Sequence, residues 1–385
     1  MKNILFITLI TFLGFNKLHS QESDQIVIGT KHSMHSSILD EERSYWISLP
    51  DSYNDASASY KKYPVLVLLD GNLHFKSITG MVNYMSSDRY RSYKIPEMIV
   101  VGIVNVDRRR DYTPDKIVTT RKNNSGGGEK FLSFLEKELL PLIDQKYRTD
   151  RYRILYGHSL GGLLTTHAYM KESSSFNSFI AVDPSFGTWD SETMDRKLDS
   201  LTQNSFDRYL YISTANWGKR NIRNRDRHIR LFEGLNSKSK DVFPGRLEYF
   251  EDESHTSVPI ISFYNGISRI YEGYSISYRD ITSQEQLVNH FKSISDRLSW
   301  KINPPESLVN QLGYTALRND KTMALEYFVL NTQNYPKSYN AFDSLGEAYE
   351  ALGNTKKAVE SYQVSLKLNP NNTNAENRIK AIKSN

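Results

Sequence analysis

The chain has 385 residues, with 49 basic and 44 acidic side chains and no cysteine. That length allows one large domain plus a small one, and so even a charge balance argues against a dedicated nucleic-acid surface, which would cluster its positive charge. Without cysteine there is no disulfide, thiolate metal site, cysteine nucleophile or lipoprotein anchor, whereas 25 tyrosines supply a sizeable core and aromatic-lined pockets.

Lys2, the apolar run Ile4 to Phe15 and Leu18-His-Ser-Gln21 read as a targeting segment over residues 1–20, cleaved after Ser20. Its apolar part is too short for a membrane-spanning helix, and no later stretch is long and apolar enough to span. One large α/β domain is expected over 21–280, a helical linker over 281–303 and helical repeats over 304–385. Within the first unit, Gln25 to Gly29 and Tyr45 to Leu49 alternate and open the sheet as an antiparallel pair. Val65 to Leu69 and Met98 to Val104 are apolar throughout, as strands buried on both faces are. Phe75 to Met85 is a crossover helix between them, and Phe131 to Ile143 has the three-and-four spacing of a long amphipathic helix. Ile154 to Tyr156, Phe176 to Val182, Tyr209 to Ser213 and Arg246 to Phe250 are further strands, with helices between and after them. Strands alternating with helices predict a mostly parallel sheet with helices on both faces.

Between Tyr156 and Leu163 the strand pattern meets Gly157-His-Ser-Leu-Gly161. A serine on a sharp strand-to-helix turn is the context of a nucleophile elbow, and the flanking glycines are needed because the two backbones crowd there. A serine hydroxyl needs a base to take its proton. Of the histidines downstream of Ser159, only His255 sits just beyond the final strand, on a polar loop, in the order that α/β-hydrolases use. The orienting acid is expected after the Tyr209–Ser213 strand. No carboxylate stands at that tip, so Asp226 is the first choice, Asp183 is the rival, and a dyad without an acid is the third reading. The oxyanion needs two preorganised N–H donors, expected from the amide of Leu160 and from the Asp70-Gly-Asn72 turn through Asn72. Arg108 to Arg110 leave the carboxyl end of a strand, where an α/β sheet binds ligands; they pair either with Asp111 or with an anionic substrate. No metal cluster or cofactor fingerprint is visible, so neither is expected.

From about Pro304 a repeat replaces the strands. Leu312-Gly313, Ala324, Phe328 and Pro336 answer Leu345-Gly346, Ala358, Tyr362 and Pro370 at spacings of 33 and 34 residues. This resembles the tetratricopeptide pattern, with Phe342 for the usual tryptophan. Such repeats either bind a protein partner or brace the first domain.

The ordered set Leu68-Leu-Asp-Gly-Asn72, Arg110-Asp-Tyr-Thr-Pro114, Gly157-His-Ser-Leu-Gly-Gly162 and Glu253-Ser-His-Thr-Ser-Val-Pro259 resembles the putative esterase family related to esterase D and enterobactin esterase, in the subgroup with appended tetratricopeptide repeats. The resemblance covers roughly residues 25 to 275 and implies an α/β-hydrolase that cleaves carboxylic esters, of ferric-siderophore lactones or acylated carbohydrates. It places the nucleophile at Ser159 and the base at His255, while Asn216 stands where relatives often carry the acid. The reading is therefore a periplasmic or secreted serine esterase that acts on a small ester. The alternative is a periplasmic interaction protein whose repeats recruit a partner and whose hydrolase domain is inert or ligand-binding.

Overall fold

The computed structural model describes residues 25–384, apart from 56–57, 88–92, 118–123, 190, 202–205, 219–221 and 242; the expected targeting segment lies outside the described residues. Eight strands form one sheet: β1 (Thr30–Ser36), β2 (Glu41–Ser48), β3 (Tyr63–Leu68), β4 (Ile99–Ile103), β5 (Thr149–His158), β6 (Ser178–Val182), β7 (Tyr209–Ala215) and β8 (Gly245–Phe250). Their order is β1-β2-β4-β3-β5-β6-β7-β8. The β1–β2 and β2–β4 pairs are antiparallel and the other pairs are parallel.

The opening pair exists, but its first strand is not Gln25–Gly29. Those residues join no ladder, and Ile26 is 96% exposed. Pairing begins at Thr30↔Ile47 instead, because the turn that closes at Asp40 (φ 57°) fixes the register against β2. Alternation alone cannot choose a strand's partner.

Helices α1 (Gly71–Ser86), α2 (Arg108–Tyr112), α3 (Gly128–Phe134), α4 (Leu140–Lys146), α5 (Leu160–Met170), α6 (Ser191–Asp199), α7 (Ile222–Lys238) and α8 (Val258–Ile270) fill the connections. The expected helix over Phe131 to Ile143 is α3 and α4 joined by a wide turn at Leu135–Leu139. Successive strand residues face opposite sides, and both sides are apolar. Val65, Val67, Leu155 and Phe179 meet Phe131, Leu163 and Leu231 on one face. Leu66, Leu68, Ile154 and Ile180 meet Phe75, Val82 and Phe263 on the other. Covering both faces is what makes the parallel strands continuously apolar.

Six more helices complete the chain: α9 (Gln284–Leu298), α10 (Glu306–Leu317), α11 (Lys321–Asn334), α12 (Tyr339–Ala351), α13 (Thr355–Leu368) and α14 (Thr373–Ser384). Packing runs straight across residue 304. Leu287, Phe291 and Ile294 of α9, Val309 and Leu312 of α10 and Leu330 of α11 share one core with Tyr152 and Tyr271 of the sheet unit. The two helical hairpins repeat one close contact: a Cβ on Gly313 would lie 2.6 Å from the Phe328 ring, and one on Gly346 would lie 2.5 Å from the Tyr362 ring. Only glycine lets the ring of the second helix seat on the first, which is why the Leu-Gly and aromatic marks recur together. No helix among the described residues is long and apolar enough to cross a membrane.

Candidate active site

Central strand β5 delivers Ser159 into a strained turn, with φ 61° and ψ −116°. Such a conformation persists only where the surroundings over-determine it. Here the Ser159 N–H donates to the Val182 carbonyl (3.0 Å), and the Ser159 carbonyl accepts from the amides of Leu163 (2.9 Å) and Ser185 (3.0 Å). A Cβ on Gly157 would collide with the Gly161 carbonyl, so strand and helix could not fold back as tightly with any other residue there.

The strain aims the Ser159 hydroxyl at the loop after β8, where it lies 3.0 Å from His255 Nε2. The other ring nitrogen, Nδ1, donates to Asp183 Oδ2 at 2.6 Å. Asp183 is fully buried at the tip of β6, and also accepts from the Trp217 indole N–H (2.7 Å) and the Ala215 amide (3.2 Å). Burial alone would push its carboxyl up, but the hydrogen bond from His255 and the nearby His228, together with the Ala215 amide, hold it below the ordinary carboxylate value. An ionised Asp183 fixes the His255 proton on Nδ1, leaving the Nε2 lone pair facing the serine. That is the geometry of a general base acting on a hydroxyl.

Two rings enclose His255. His158 lies at 4.5 Å between centroids and Trp217 at 4.4 Å. His158 Nε2–H donates to the His255 carbonyl at 2.8 Å. Burial, reinforced by the neighbouring His255 and His74, lowers the His158 pKa to about 4, so it serves as a neutral donor at neutral pH. The Ser185 hydroxyl sits 3.0 Å from that of Ser159.

The acid expected first, Asp226, is not in this constellation. It is exposed on α7. The inward face of that helix carries Asn224 and His228, which bind the Pro184 carbonyl at 3.1 and 2.7 Å and so brace the loop that bears Asp183. At about 100° per residue, Asp226 lies roughly 200° around the helix from both. Asp183 takes the place at the histidine instead. Trp217, His158 and Ser185 were not anticipated as site residues; the signal available was that each lies within three residues of a strand's end or of the elbow serine.

Leu160 opens α5 and Asn72 lies in the first turn of α1, so their N–H groups have no acceptor within their helices. The two turns are adjacent: the Leu69 amide donates to the Tyr156 carbonyl at 3.0 Å. Asp70, between them, binds Arg108 (2.7 Å) and Asn105 (2.6 Å), while Arg108 also donates to the His158 carbonyl at 3.1 Å. Arg110 is committed to Glu41 and Asp111. Of the three arginines, Arg109 stands exposed. Among the described residues, no group of three or more His, Asp or Glu side chains is placed to hold a metal ion.

The sheet order, the elbow and the sequence of serine, acid and histidine along the strand tips are those of an α/β-hydrolase. The chain belongs to the family described as "Putative esterase", whose sequence profile matches residues 36–230, just over half of the chain. It is 29% identical over 252 residues to the ferri-bacillibactin esterase BesA of Bacillus subtilis, covering 60% of this chain and 85% of that one. It is 30% identical over 167 residues to the apo-salmochelin esterase of Escherichia coli, covering 39% and 49% of the two chains. Among solved structures, an IroE-like serine hydrolase from Shewanella oneidensis superposes with a TM-score of 0.68 at 26% identity, over 79% of this chain and 99% of that one. An uncharacterised protein from Capnocytophaga ochracea shares the fold (TM-score 0.58, 20% identity) over 93% of this chain and 100% of its own, a share that takes in the C-terminal helices.

Proposed function

We propose that this esterase works through an acyl-serine intermediate. Ser159 Oγ attacks the ester carbonyl carbon while its proton passes to His255 Nε2. Asp183 holds His255 in the working tautomer and stabilises the imidazolium. The amides of Leu160 and Asn72 receive the negative oxygen. Collapse expels the alcohol, which takes the proton from His255. Water then attacks the acyl-serine, again with His255 as base, and releases the acid. The observation that carries this reading is the continuous hydrogen-bonded relay Ser159–His255–Asp183 at 3.0 and 2.6 Å.

The relatives favour a siderophore ester over an acylated carbohydrate, since their names specify ferri-bacillibactin and apo-salmochelin. Attraction of an anionic substrate falls to Arg109 and Arg223, both exposed, because Arg108 and Arg110 already hold carboxylates. Residues 1–20 act as an export signal in this reading, which puts the enzyme in the periplasm or outside the cell. The matching Gly313–Phe328 and Gly346–Tyr362 contacts support tetratricopeptide-like repeats in the C-terminal helices, available to a protein partner.

Labelling with a fluorophosphonate, followed by turnover of p-nitrophenyl acetate, ferri-bacillibactin, apo-salmochelin and an acetylated xylo-oligosaccharide, tests this. Wild type should label and turn over, and Ser159→Ala should do neither. Equal turnover by the two proteins would end the acyl-serine reading. Labelling with no turnover of either siderophore would end the substrate assignment alone.

A further inference from the structure

A cavity of about 990 Å³ opens at the base of the sheet, between the starts of β3 and β5 and the helices α10 and α12. Asp150 lines it, and Ser159 stands at the far end of the same strand, roughly 30 Å away at about 3.3 Å per residue. It is thus separate from the site that holds the serine. Its walls come from both parts of the chain, and hydrogen bonds already tie those parts together around it. Trp300 Nε1 donates to Asp150 at 2.7 Å, the Tyr60 hydroxyl to Glu306, and the Tyr93 and Ser307 hydroxyls lie 3.1 Å apart.

We propose that this cavity binds a neutral, hydroxyl-rich chain, an oligosaccharide. Three features of the wall point there. First, four of its carboxylates already have partners: Asp51 accepts from Asn83 (2.9 Å), Asp150 from Trp300, Glu97 from Ser52 (2.6 Å) while facing Lys61, and Glu306 from Ser338 (2.5 Å). A charged ligand is not needed to complete them, and Lys62 and Lys301 are exposed. Second, the alanine and isoleucine side chains of the lining are covered. Ala58, Ile95 and Ile302 are 3%, 1% and 8% exposed and offer little surface to the apolar anchors by which a helical peptide docks. Third, among its charged groups the wall presents partly exposed tyrosine rings and side-chain amides, Tyr93, Tyr314, Asn303 and Gln311. Asn310 and Asn334 line it half-buried, with Asn310 Oδ1 and Asn334 Nδ2, an acceptor and a donor, turned into the wall without a partner among the described residues, so that either amide gains by turning toward a ligand. Unpaired buried polar atoms are uncommon and call for a partner. Amides that offer a donor and an acceptor, beside rings with an apolar face and a polar tip, match the alternating hydroxyl and C–H faces of a sugar. A ligand seated there touches the sheet unit and the helices at once.

Calorimetric titration of the full wild-type chain with cellohexaose, xylohexaose, mannohexaose and maltohexaose tests the proposal. Saturable binding of at least one is expected, weakened about tenfold by Asn310→Ala and by Asn334→Ala, with p-nitrophenyl acetate turnover and melting temperature unchanged. Hydrogen exchange of the wild-type chain should show protection over Glu306–Leu317 on binding, which keeps the test decisive if either variant fails to fold. No binding of any of the four, binding indifferent to both variants, or protection confined to the Ser159 loops would overturn it. These sugars carry no ester, so the outcome is independent of whether Ser159 forms an acyl intermediate.

Discussion

The two ends of the sheet solve opposite problems. At the carboxyl ends of β3, β5 and β6 the backbone turns through positive φ at three non-glycine residues, Asp70 (55°), Ser159 (61°) and Asp183 (38°). Each such residue costs of the order of 1–3 kcal/mol, and each places a polar side chain where the relay or its supports need one. The amino ends of β3 and β5 instead meet rings. Tyr152 stacks on Trp300 at 4.6 Å, Tyr271 lies at 6.1 Å from Tyr152, and Tyr53 packs on Tyr63 at 5.6 Å. One end holds strain for chemistry, while the other supplies burial that lets the strain persist. Substitutions at the two ends should therefore separate cleanly into those that change turnover and those that change stability.

The largest effect belongs to the strained end. Asp183→Asn keeps the shape but removes the charge that fixes the His255 tautomer, and kcat for p-nitrophenyl acetate should fall by about 10³–10⁴. Asp226→Asn, on the outer face of α7, should leave kcat within about twofold. Equal losses in the two variants would break the comparison, because an exposed helical aspartate would then be serving the site. The next effect belongs to the base. Trp300→Ala removes a ring stacked on Tyr152 and the donor to Asp150, and should cost about 3–5 kcal/mol of unfolding free energy in urea titrations, with kcat unchanged at a temperature where the variant stays folded. A loss of kcat that outruns the loss of folded protein would show that the two ends are coupled.

A third effect is set by pH. His158 has a pKa of about 4 against an ordinary 6.5, so between those values the unfolded chain binds more protons than the native one. Its contribution is present in full above 6.5 and is lost as pH falls through 4. The shift corresponds to at most about 3 kcal/mol. The groups facing it are His255, His74 and Asp183, with Arg108 on its carbonyl. His158→Gln keeps a donor for the His255 carbonyl and removes the titration. The drop in unfolding free energy between neutral pH and pH 4.5 should shrink relative to wild type, but not vanish, since burial also lowers His74 and His228. An unchanged drop would mean that His158 is not held neutral.

Local spacing made one half of the site legible. Gly157, Ser159 and Gly161 are within one turn of each other, and His255 follows the last strand directly, so chain order alone selects them. The acid was not legible because the choice between Asp183 and Asp226 depends on which face of α7 turns inward. That face is set by Asn224 and His228 reaching the Pro184 carbonyl, a contact 40 or more residues apart in sequence. The first strand was displaced for a similar reason: Gln25 to Gly29 alternates well, but the turn at Asp40 decides which residues find a ladder. At the C-terminal side, the 33- and 34-residue marks revealed the hairpins. They could not reveal that Val309 and Leu312 face the sheet unit, because an apolar stripe records burial and not the neighbour.

Trp217 gives the smallest and most discriminating effect, since it serves the relay in two ways that substitution can separate. Its N–H donates to Asp183 Oδ2, the oxygen that also receives His255 Nδ1–H, and its ring, 37% exposed, covers the outer face of the imidazole. A hydrogen bond to a charged group is worth about 1.5–3 kcal/mol, but the Ala215 amide still serves the other carboxylate oxygen and water can reach the vacated donor position. Trp217→Phe, which keeps the ring and loses the donor, should therefore lower kcat/KM by about tenfold, near the bottom of that range. Trp217→Ala loses both and opens one face of His255 to solvent, so it should fall further while the melting temperature stays close to that of Trp217→Phe. If Phe restores full activity, the ring alone matters and the indole donor is incidental. If Phe and Ala are equally slow, the hydrogen bond to Asp183 carries the whole effect, and the strained end is held by polar contacts without help from stacking.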